Sequence, residues 1–466
     1  MPVLEFAVLA TLDLSLIVLI LRKWGLASAE GLCMAYAFMA VVTDHLELLF
    51  DYLARPGNLI LGVHEFEFRV YPTVVHIIGL LALTAGLLVF SSRPRSVALE
   101  MSEAGTALLR RTGIAIVVVG LVFLGVACYL AGAYPGPNFF QALDVFRTKA
   151  VSFGGFWYRG PDIMTFGLAL VMASVKTRSR RARASLLGIL LLMMLVSFFA
   201  RTNKGGFEVA VLWSAMVLYI YNRKGLKLLF KPAAMAVLGA VIFLGIGVKN
   251  VMLSPSANRP TSAGIVLRSS LETIAARWGD NSTYRGYCQF INGLPAYHHY
   301  FDDYKVGRYA LTSFVPRVLQ PDKADHPFRG LGFMIYSDYH TYPMETPAVE
   351  IVGSAFADSG FLSLILYLFA TGTFLGIFRG LAATPKSSLH WHVAYVMFTL
   401  FGGLSAEAGI ISIVYVLILT SSVVGTAHLL ARGTELGRRV RTNILSHASH
   451  PSHRSGVHWG VEGTES

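Results

Sequence analysis

MPVLEFAVLATLDLSLIVLILRKW, residues 1–24, is the stretch that decides the fold class of this chain. Its apolar block, at 4–21, is about as long as a helix that crosses roughly 30 Å of hydrocarbon at about 1.5 Å per residue. No positive charge precedes the block, and Arg22 and Lys23 follow it, which is the reverse of a secretory signal peptide. The stretch therefore predicts a first membrane span.

Apolar blocks of similar length recur along the chain. Of its 466 residues, 54% are hydrophobic and 14% are charged, and the mean hydropathy is +0.57. Backbone groups in lipid must bond internally, so these blocks predict an all-α polytopic membrane protein with about eleven spans (10–12). Spans ten and eleven could instead form one re-entrant pair, because only residues 405–407 separate them. The predicted spans are 4–21, 25–50, 72–91, 112–132, 158–175, 185–200, 205–221, 232–250, 352–378, 389–404 and 408–430.

The distribution of Lys and Arg predicts the orientation. With the N-terminus outside, the predicted inner segments hold 22 Lys and Arg against 6 Asp and Glu, counting Glu30 at the inner end of the second span, and the rest of the chain holds 17 against 21. The run KTRSRRARA at 176–184 contributes most to this bias, which follows the positive-inside rule. The pI of 9.6 then reflects topology and contact with anionic lipid, not nucleic acid, for which no binding motif is present.

The predicted organisation is a single transmembrane domain at 1–430, with a large extracytoplasmic loop at about 251–351, and a tail at 431–466. The tail is basic, then rich in His, Ser and Gly, and is expected to be cytoplasmic and disordered. Its histidines are irregularly spaced, so a solvated tail is favoured over a metal site there. Three widely spaced cysteines, Cys33, Cys128 and Cys288, predict neither a disulfide framework nor a metal site.

A cationic pair lies in the predicted outer turn SFFARTNKGGFEVAV. Arg201 and Lys204 are one helical turn apart, and Glu208 follows four residues after Lys204. Two fixed positive charges at the bilayer edge would suit a diphosphate, and Gly205 and Gly206 would let a headgroup approach the backbone. The alternative is that both cations merely snorkel at the end of a span.

Acidic side chains cluster at the outer end of the second predicted span. Asp44, Glu47 and Asp51 share a helical face, and His45 lies beside them. Ionisable groups at membrane depth are costly and are often functional, so these residues could pair with outer arginines or hold a substrate. Two further acids have no evident partner in the sequence, Asp13 in the first span and Glu407 between spans ten and eleven.

The large loop mixes aromatic and charged residues. It contains RWGDNSTYRGYCQFING, YHHYFDDYKVGRYALTSFVPRVLQPDKADHPFRG and MIYSDYHTYPMETPAVE. Tyr and His side chains can stack on sugar rings while their polar ends bond hydroxyl groups. An interfacial aromatic belt would explain some of the tyrosines, but not the arginines and aspartates interleaved with them.

Three segments resemble bacterial oligosaccharide repeat-unit polymerases, the Wzy-type O-antigen and exopolysaccharide polymerases. VPRVLQPDKADH at 315–326 is similar to the "PR…PDKP" element of their outer loop, and TPAVEIVGSAFADSGFLSLILYLFATG at 346–372 resembles their "G-E-x-Y-x-N-F-G" entry to the next span. SFFARTNKGG at 197–206 is similar to the family's span-end arginine. The matches cover some sixty residues. Three departures are Ala324 in place of a second proline, Asp358-Ser359 in place of Asn-Phe, and Glu350 standing before Ile-Val-Gly.

The resemblance implies a GT-C-like membrane glycosyltransferase of the inner membrane with its site facing the periplasm. Such an enzyme moves a growing glycan from its polyprenyl (undecaprenyl) diphosphate to the free sugar end of the next lipid-linked repeat. It implies no metal, no other cofactor and no nucleotide sugar. The implied partners are the lipid-linked oligosaccharides, membrane lipid and possible chain-length regulator and flippase proteins.

The resemblance and the charge of a diphosphate together select candidate site residues, of which Arg317 is the first because it lies in the closest motif match. Arginine and lysine would stabilise the leaving diphosphate, and a carboxylate or histidine would serve as base. The alternatives are a turn or cap at 280–282, loop packing at 326–327 and a salt bridge at 350. The catalytic candidates are Arg317, Asp280, His326, Asp338 and Glu350, and the diphosphate-binding candidates are Arg201, Lys204, Arg329 and Arg285.

Three other functions fit a multi-span plan. An O-antigen ligase or a lipid-to-protein glycosyltransferase would differ only in its acceptor. A transporter or flippase is disfavoured because no internal repeat is evident and the polar residues lie at the outer edge instead of mid-span. A scaffold of an export complex would not need the Arg/Lys cluster.

Overall fold

The computed structural model describes a set of helices and the short connections between some of them. Helices make up 94% of the described residues, none of which lies in a strand. The described residues are 2–24, 41–46, 48–49, 59–90, 103–131, 159–176, 179–201, 205–252, 263–278, 282–297, 305–312, 315, 320, 350–383, 389–399 and eight positions between 417 and 429.

Fourteen helices are numbered here within the described ranges, and residues 41–46 form an additional short helical segment. The helices are α1 (Pro2–Trp24), α2 (Leu59–Phe90), α3 (Glu103–Ala131), α4 (Gly160–Ala173), α5 (Arg180–Arg201), α6 (Gly205–Tyr221), α7 (Arg223–Leu229), α8 (Pro232–Met252), α9 (Ala263–Trp278), α10 (Ser282–Tyr297), α11 (Lys305–Thr312), α12 (Glu350–Phe356), α13 (Phe361–Ala383) and α14 (Leu389–Phe398).

Four of these helices are long and apolar enough to cross a membrane. They contain the segments Pro2–Arg22, His64–Val89, Gly105–Tyr129 and Phe361–Ala383, and a fifth span results if the bent pair Arg223–Leu229 and Pro232–Gly245 counts as one. These segments overlap predicted spans one, three, four, nine and eight. An all-α protein with membrane-spanning helices is therefore confirmed at this coarse level, within the described ranges.

Helix α2 begins thirteen residues before the predicted span at 72–91, at Leu59. The charged stretch HEFEFR (64–69) and Pro72 both interrupt the apolar run from which the span is predicted. Proline lacks an amide N–H and leaves the carbonyl four residues before it without its helical donor. Here Asn292 Nδ2 of α10 donates to the Phe68 carbonyl at 2.6 Å, so the helix continues through Pro72.

The predicted span at 352–378 is a broken element. Helix α12 ends at Phe356, residues 357–360 form a turn, and α13 begins at Phe361. Gly360 has φ = 65°, a left-handed conformation that residues with a side chain rarely adopt. The amide of Ser359 donates to Ser363 Oγ at 2.9 Å, which satisfies an N–H group at the start of α13.

Two helix pairs pack through glycines, and in α3 and α4 these glycines are spaced seven residues apart. Between α3 and α4, Gly113 lies against Gly167 and Gly120 lies against Gly160. A Cβ added at Gly120 would lie 2.6 Å from Met164 Cγ, closer than real side chains approach. Between α2 and α13, Gly86 and Gly372 face the opposing backbone in the same way. Small residues permit such close approach of helices in lipid, where apolar burial gives little driving force.

Candidate functional site

Five ionisable side chains lie together inside the helices and are named here the buried polar cluster: Asp13, Asp44, His45, Arg69 and His76. Their relative exposures are 0%, 3%, 0%, 6% and 0%, respectively. Asp13 lies midway along the α1 span and His76 midway along the α2 span. Charged groups at such depth are rare in membrane helices unless they are paired or functional.

Asp13 is held by two histidines. Both of its carboxylate oxygens lie 2.9 Å from Nδ1 of His76, and Oδ2 lies 3.3 Å from Nε2 of His45. An ionised carboxylate only accepts hydrogen bonds, so both facing imidazole nitrogens carry protons when Asp13 is charged. The other ring nitrogen of His45, Nδ1, has no hydrogen-bond partner among the described residues and lies 4.0 Å from Asp44 Oδ2.

Arg69 of α2 forms the second part of the cluster. Its Nε donates to Asp44 Oδ2 at 2.9 Å, and its Nη2 donates to Asp44 Oδ1 at 3.1 Å. Its Nη1 donates to the carbonyl of Glu65 at 3.2 Å and also to the Glu65 carboxylate, which is 37% exposed. The two-pronged pairing fixes the orientation of the Asp44 carboxylate, and Glu65 extends the pair toward the surface.

Helix α10, within the predicted outer loop, covers one side of the cluster. The hydroxyl of Tyr284 lies 3.3 Å from Thr73 Oγ1, and its ring meets that of His45 edge-on at 5.3 Å. The hydroxyl of Tyr287 donates to the Pro72 carbonyl at 3.0 Å. Burial raises the pKa of Tyr284 well above its usual range, so this phenol remains neutral. The loop is thus attached directly to α2, at Pro72 and Thr73.

A second attachment joins α11 to the turn before α13. Oδ1 of Asp358 accepts from the Val306 amide at 2.7 Å, and Oδ2 accepts from the Gly307 amide at 2.9 Å. The hydroxyl of Tyr367 also donates to Oδ2, at 2.8 Å. A carboxylate from a distant segment therefore satisfies two of the free N–H groups at the start of α11.

The residues selected from the sequence are only partly described. Glu350 is the first residue of α12, Arg201 is the last of α5, and Arg285 lies in α10, but the directions of their side chains are outside the described structure. The remaining candidates lie outside the described residues altogether: Arg317, Asp280, His326, Asp338, Lys204 and Arg329. Glu47, Asp51 and Glu407 also lie outside them.

The structure gives partners to two acids that the sequence left open. Asp44 pairs with Arg69, which is the structural alternative considered for it, and Asp13 pairs with His45 and His76. The statement that polar residues lie at the outer edge and not mid-span is wrong for Asp13. Asp13 already stands mid-span in the predicted block 4–21; the sequence left open only its pairing, because its histidine partners arrive from other helices.

Sequence reasoning missed Arg69, His76 and the two tyrosines of α10. Arg69, Thr73 and His76 are spaced i, i+4 and i+7, and therefore share one face of α2. That pattern becomes visible only when residues before Pro72 are included in the helix. The sequence assigns the tyrosines of this loop to stacking on sugar rings or to an interfacial belt, whereas Tyr284 and Tyr287 are fully buried.

The described residues contain no group of three or more His, Cys, Asp or Glu side chains arranged to hold a metal ion. In the buried polar cluster, one imidazole nitrogen of His45 and one of His76 face the Asp13 carboxylate as hydrogen-bond partners.

Comparison of the chain with family models, with curated proteins and with solved structures gave no significant match.

Proposed function

We propose that this chain is a membrane glycosyltransferase that polymerises polyprenyl-diphosphate-linked oligosaccharide repeat units into surface polysaccharide. It would be a Wzy-type enzyme with about eleven spans and a GT-C-like plan. Its N-terminus would lie outside the inner membrane, its C-terminus in the cytoplasm and its site at the periplasmic face. The VPRVLQPDKADH element at 315–326 supports the family, and the mixed aromatic and charged loop suits a glycan.

The observation that carries the proposal is the attachment of this loop to the membrane helices at two points. Tyr284 and Tyr287 of α10 contact Thr73 and Pro72 of α2. Asp358, in the turn before α13, caps α11. Helix α11 ends at Thr312, five residues before Arg317. A loop fixed at both points could hold a charged element against the membrane surface, where the diphosphate of a lipid-linked substrate lies.

The proposed reaction is a glycosyl transfer between two lipid-linked chains. A hydroxyl group of the acceptor sugar attacks the anomeric carbon of the growing glycan and forms a new C–O bond. The bond from that carbon to the lipid diphosphate breaks, and the diphosphate leaves with its negative charge. The hydroxyl proton passes to a base, for which Asp280, His326, Asp338 and Glu350 are the candidates. Arg317 would stabilise the departing charge, with Arg201, Lys204, Arg285 and Arg329 as further diphosphate ligands.

A transporter of lipid-linked sugars is the second candidate function. The observation that favours it is the mid-span location of Asp13 and His76, since buried carboxylate and histidine groups form proton relays in transporters. Such a protein would move its substrate across the membrane and would make no glycosidic bond.

The test is a gel of surface polysaccharide from cells that lack the protein, complemented with the wild type, Arg317→Ala or Arg308→Ala. Arg308 is an exposed arginine on α11 and serves as the matched control. The proposal expects the deletion to reduce long chains to single repeats on their normal acceptor, and Arg317→Ala to behave like the deletion while Arg308→Ala restores polymer. Each variant is compared at equal membrane abundance.

Two other outcomes would overturn the proposal. Polymer that forms but stays on its lipid carrier would indicate a ligase. An unchanged ladder would exclude a polymerase function for this chain. In that case transport of fluorescent lipid-linked oligosaccharide into proteoliposomes tests the second candidate.

A further inference from the structure

The formal charges of the buried polar cluster do not balance when its histidines are neutral. Asp13 and Asp44 are carboxylates, and Arg69 is the only Lys or Arg side chain that the structure describes as bonded to either of them. Two hydrogen bonds commit Arg69 to Asp44, and its third nitrogen faces Glu65. Asp13 is therefore left with two imidazoles as its bonded partners.

A net negative charge at this position would be costly. Asp13 is 0% exposed and lies midway along a membrane span, where neither water nor lipid headgroups can solvate it. Burying an unbalanced ion carries a large desolvation penalty. Neutrality can be restored by adding one proton to an imidazole, which turns the Asp13–histidine contact into an ion pair.

We propose that Asp13, His45 and His76 form a proton-binding site inside the membrane domain, in which one bound proton is held as an imidazolium paired with the Asp13 carboxylate. His76 places Nδ1 2.9 Å from both oxygens of Asp13, so it carries the charge, and Nε2 of His45 lies 3.3 Å from Oδ2 of the same carboxylate. With this proton, Asp13 and His76 form one neutral pair and Asp44 and Arg69 form another.

The other ionisable groups that surround the site do not take over this role. Arg69 remains a cation at all relevant pH values, and Asp44 is paired with it. Tyr284 of α10 is a buried phenol held neutral by its raised pKa, and Glu65 lies at the partly exposed end of the Arg69 network. The groups that face the site are Asp13 from α1, Asp44 and His45 from the segment 41–46, Glu65, Arg69 and His76 from α2, and Tyr284, Tyr287 and Cys288 from α10.

The proton is the ligand that suits this geometry. The side chains of Asp13, His45 and His76 are 0–1% exposed, and Asp13 is already bonded to both imidazoles. A proton can be added without displacing these contacts. The site does not depend on the proposed glycan chemistry, because it follows from the charges of the folded chain alone.

The experiment is ¹⁵N-histidine solid-state NMR of the full chain in lipid bilayers at pH 8.5. Imidazolium and neutral imidazole nitrogens give separate signals, and ordinary exposed histidines are only about 1% protonated at this pH. We expect one imidazolium among the 14 histidines of the wild type. It should be lost in His76→Gln and in Asp13→Asn, and retained in His392→Gln, which removes a buried histidine of α14.

The wild-type spectrum alone can overturn the inference, so the test does not depend on the folding of any variant. A spectrum with only neutral imidazoles at pH 8.5 would show that no proton is held. An imidazolium that persists in both Asp13→Asn and His76→Gln would show that the proton resides elsewhere. Both results could occur with polysaccharide synthesis intact, which separates this inference from the proposed function.

Discussion

Two helix contacts are held together by different means. In the first, α1 and α10 pack on α2, and in the second, α3 packs on α4. The first uses buried polar contacts: Asp13 of α1 pairs with His76 of α2, and the hydroxyl of Tyr287 of α10 donates to the Pro72 carbonyl. The second brings backbones together at Gly113–Gly167 and Gly120–Gly160, with the ion pair Lys176–Glu103 at its exposed edge. In lipid, where apolar burial does not drive association, a polar contact fixes which groups meet and a glycine contact fixes how closely they meet.

The largest difference between the two regions is expected from Arg69→Ala. This change leaves Asp44 buried without its cation and should lower the free energy of unfolding by about 3–5 kcal/mol. Equilibrium unfolding in mixed detergent micelles measures the loss. Lys176→Ala, which breaks the exposed pair with Glu103, should cost about 0–1 kcal/mol. The double variant Asp44→Leu/Arg69→Met removes both charges and should recover most of the loss, and equal losses in the single and double variants would contradict this account.

The glycine contact is tested by Gly120→Leu. The added side chain would overlap Met164 and the backbone of Gly160, so the helices must separate at a cost of about 3 kcal/mol. Gly125→Leu on the same helix is the control, because nothing lies within 4 Å of a Cβ placed there. Unfolding in the same micelles distinguishes the two. Equal stability of both variants would mean that close approach of α3 and α4 does not contribute.

A smaller effect is expected where α10 meets α2. Asn292→Ala leaves the Phe68 carbonyl without its donor at the Pro72 position and should cost about 1–2 kcal/mol. In a Pro72→Ala background the helix regains its own N–H donor, so the same substitution should cost much less. The interaction energy of this double-mutant cycle is the measurement. An additive cycle would show that Asn292 does not compensate for the proline.

Among the buried contacts, the smallest effect is expected from Asp358→Ala. Loss of this carboxylate removes the cap from α11 and should cost about 1 kcal/mol locally. Amide hydrogen exchange at Val306 and Gly307 should accelerate about fivefold, while exchange in α2 and α3 stays unchanged. Tyr367→Phe removes one of the three hydrogen bonds to Asp358 and should produce a weaker change at the same amides. Unchanged exchange in both variants would exclude a capping role.

The sequence was informative about helices and less informative about their partners. The block at 4–21 predicts α1 within a few residues, and 205–221 agrees with α6 at both ends. The prediction fails at the start of α2 and at the break before α13. In both places a contact with a distant segment overrides the local sequence. Asn292 of α10 bonds the carbonyl that Pro72 leaves without a donor, and Asp358 bonds amides of α11. The motif residues around Arg317 lie outside the described structure, so their roles stay predictions.

By itself, the sequence determined that this is an all-α membrane protein, because the length and spacing of apolar blocks depend only on local composition. It also identified Asp13 and Asp44 as unusual, since an acid within an apolar block is costly wherever its partner lies. Only the tertiary structure decided which partners neutralise them. His45, His76, Arg69 and Tyr284 come from three separate segments, and their convergence depends on how the helices pack, which no local pattern specifies.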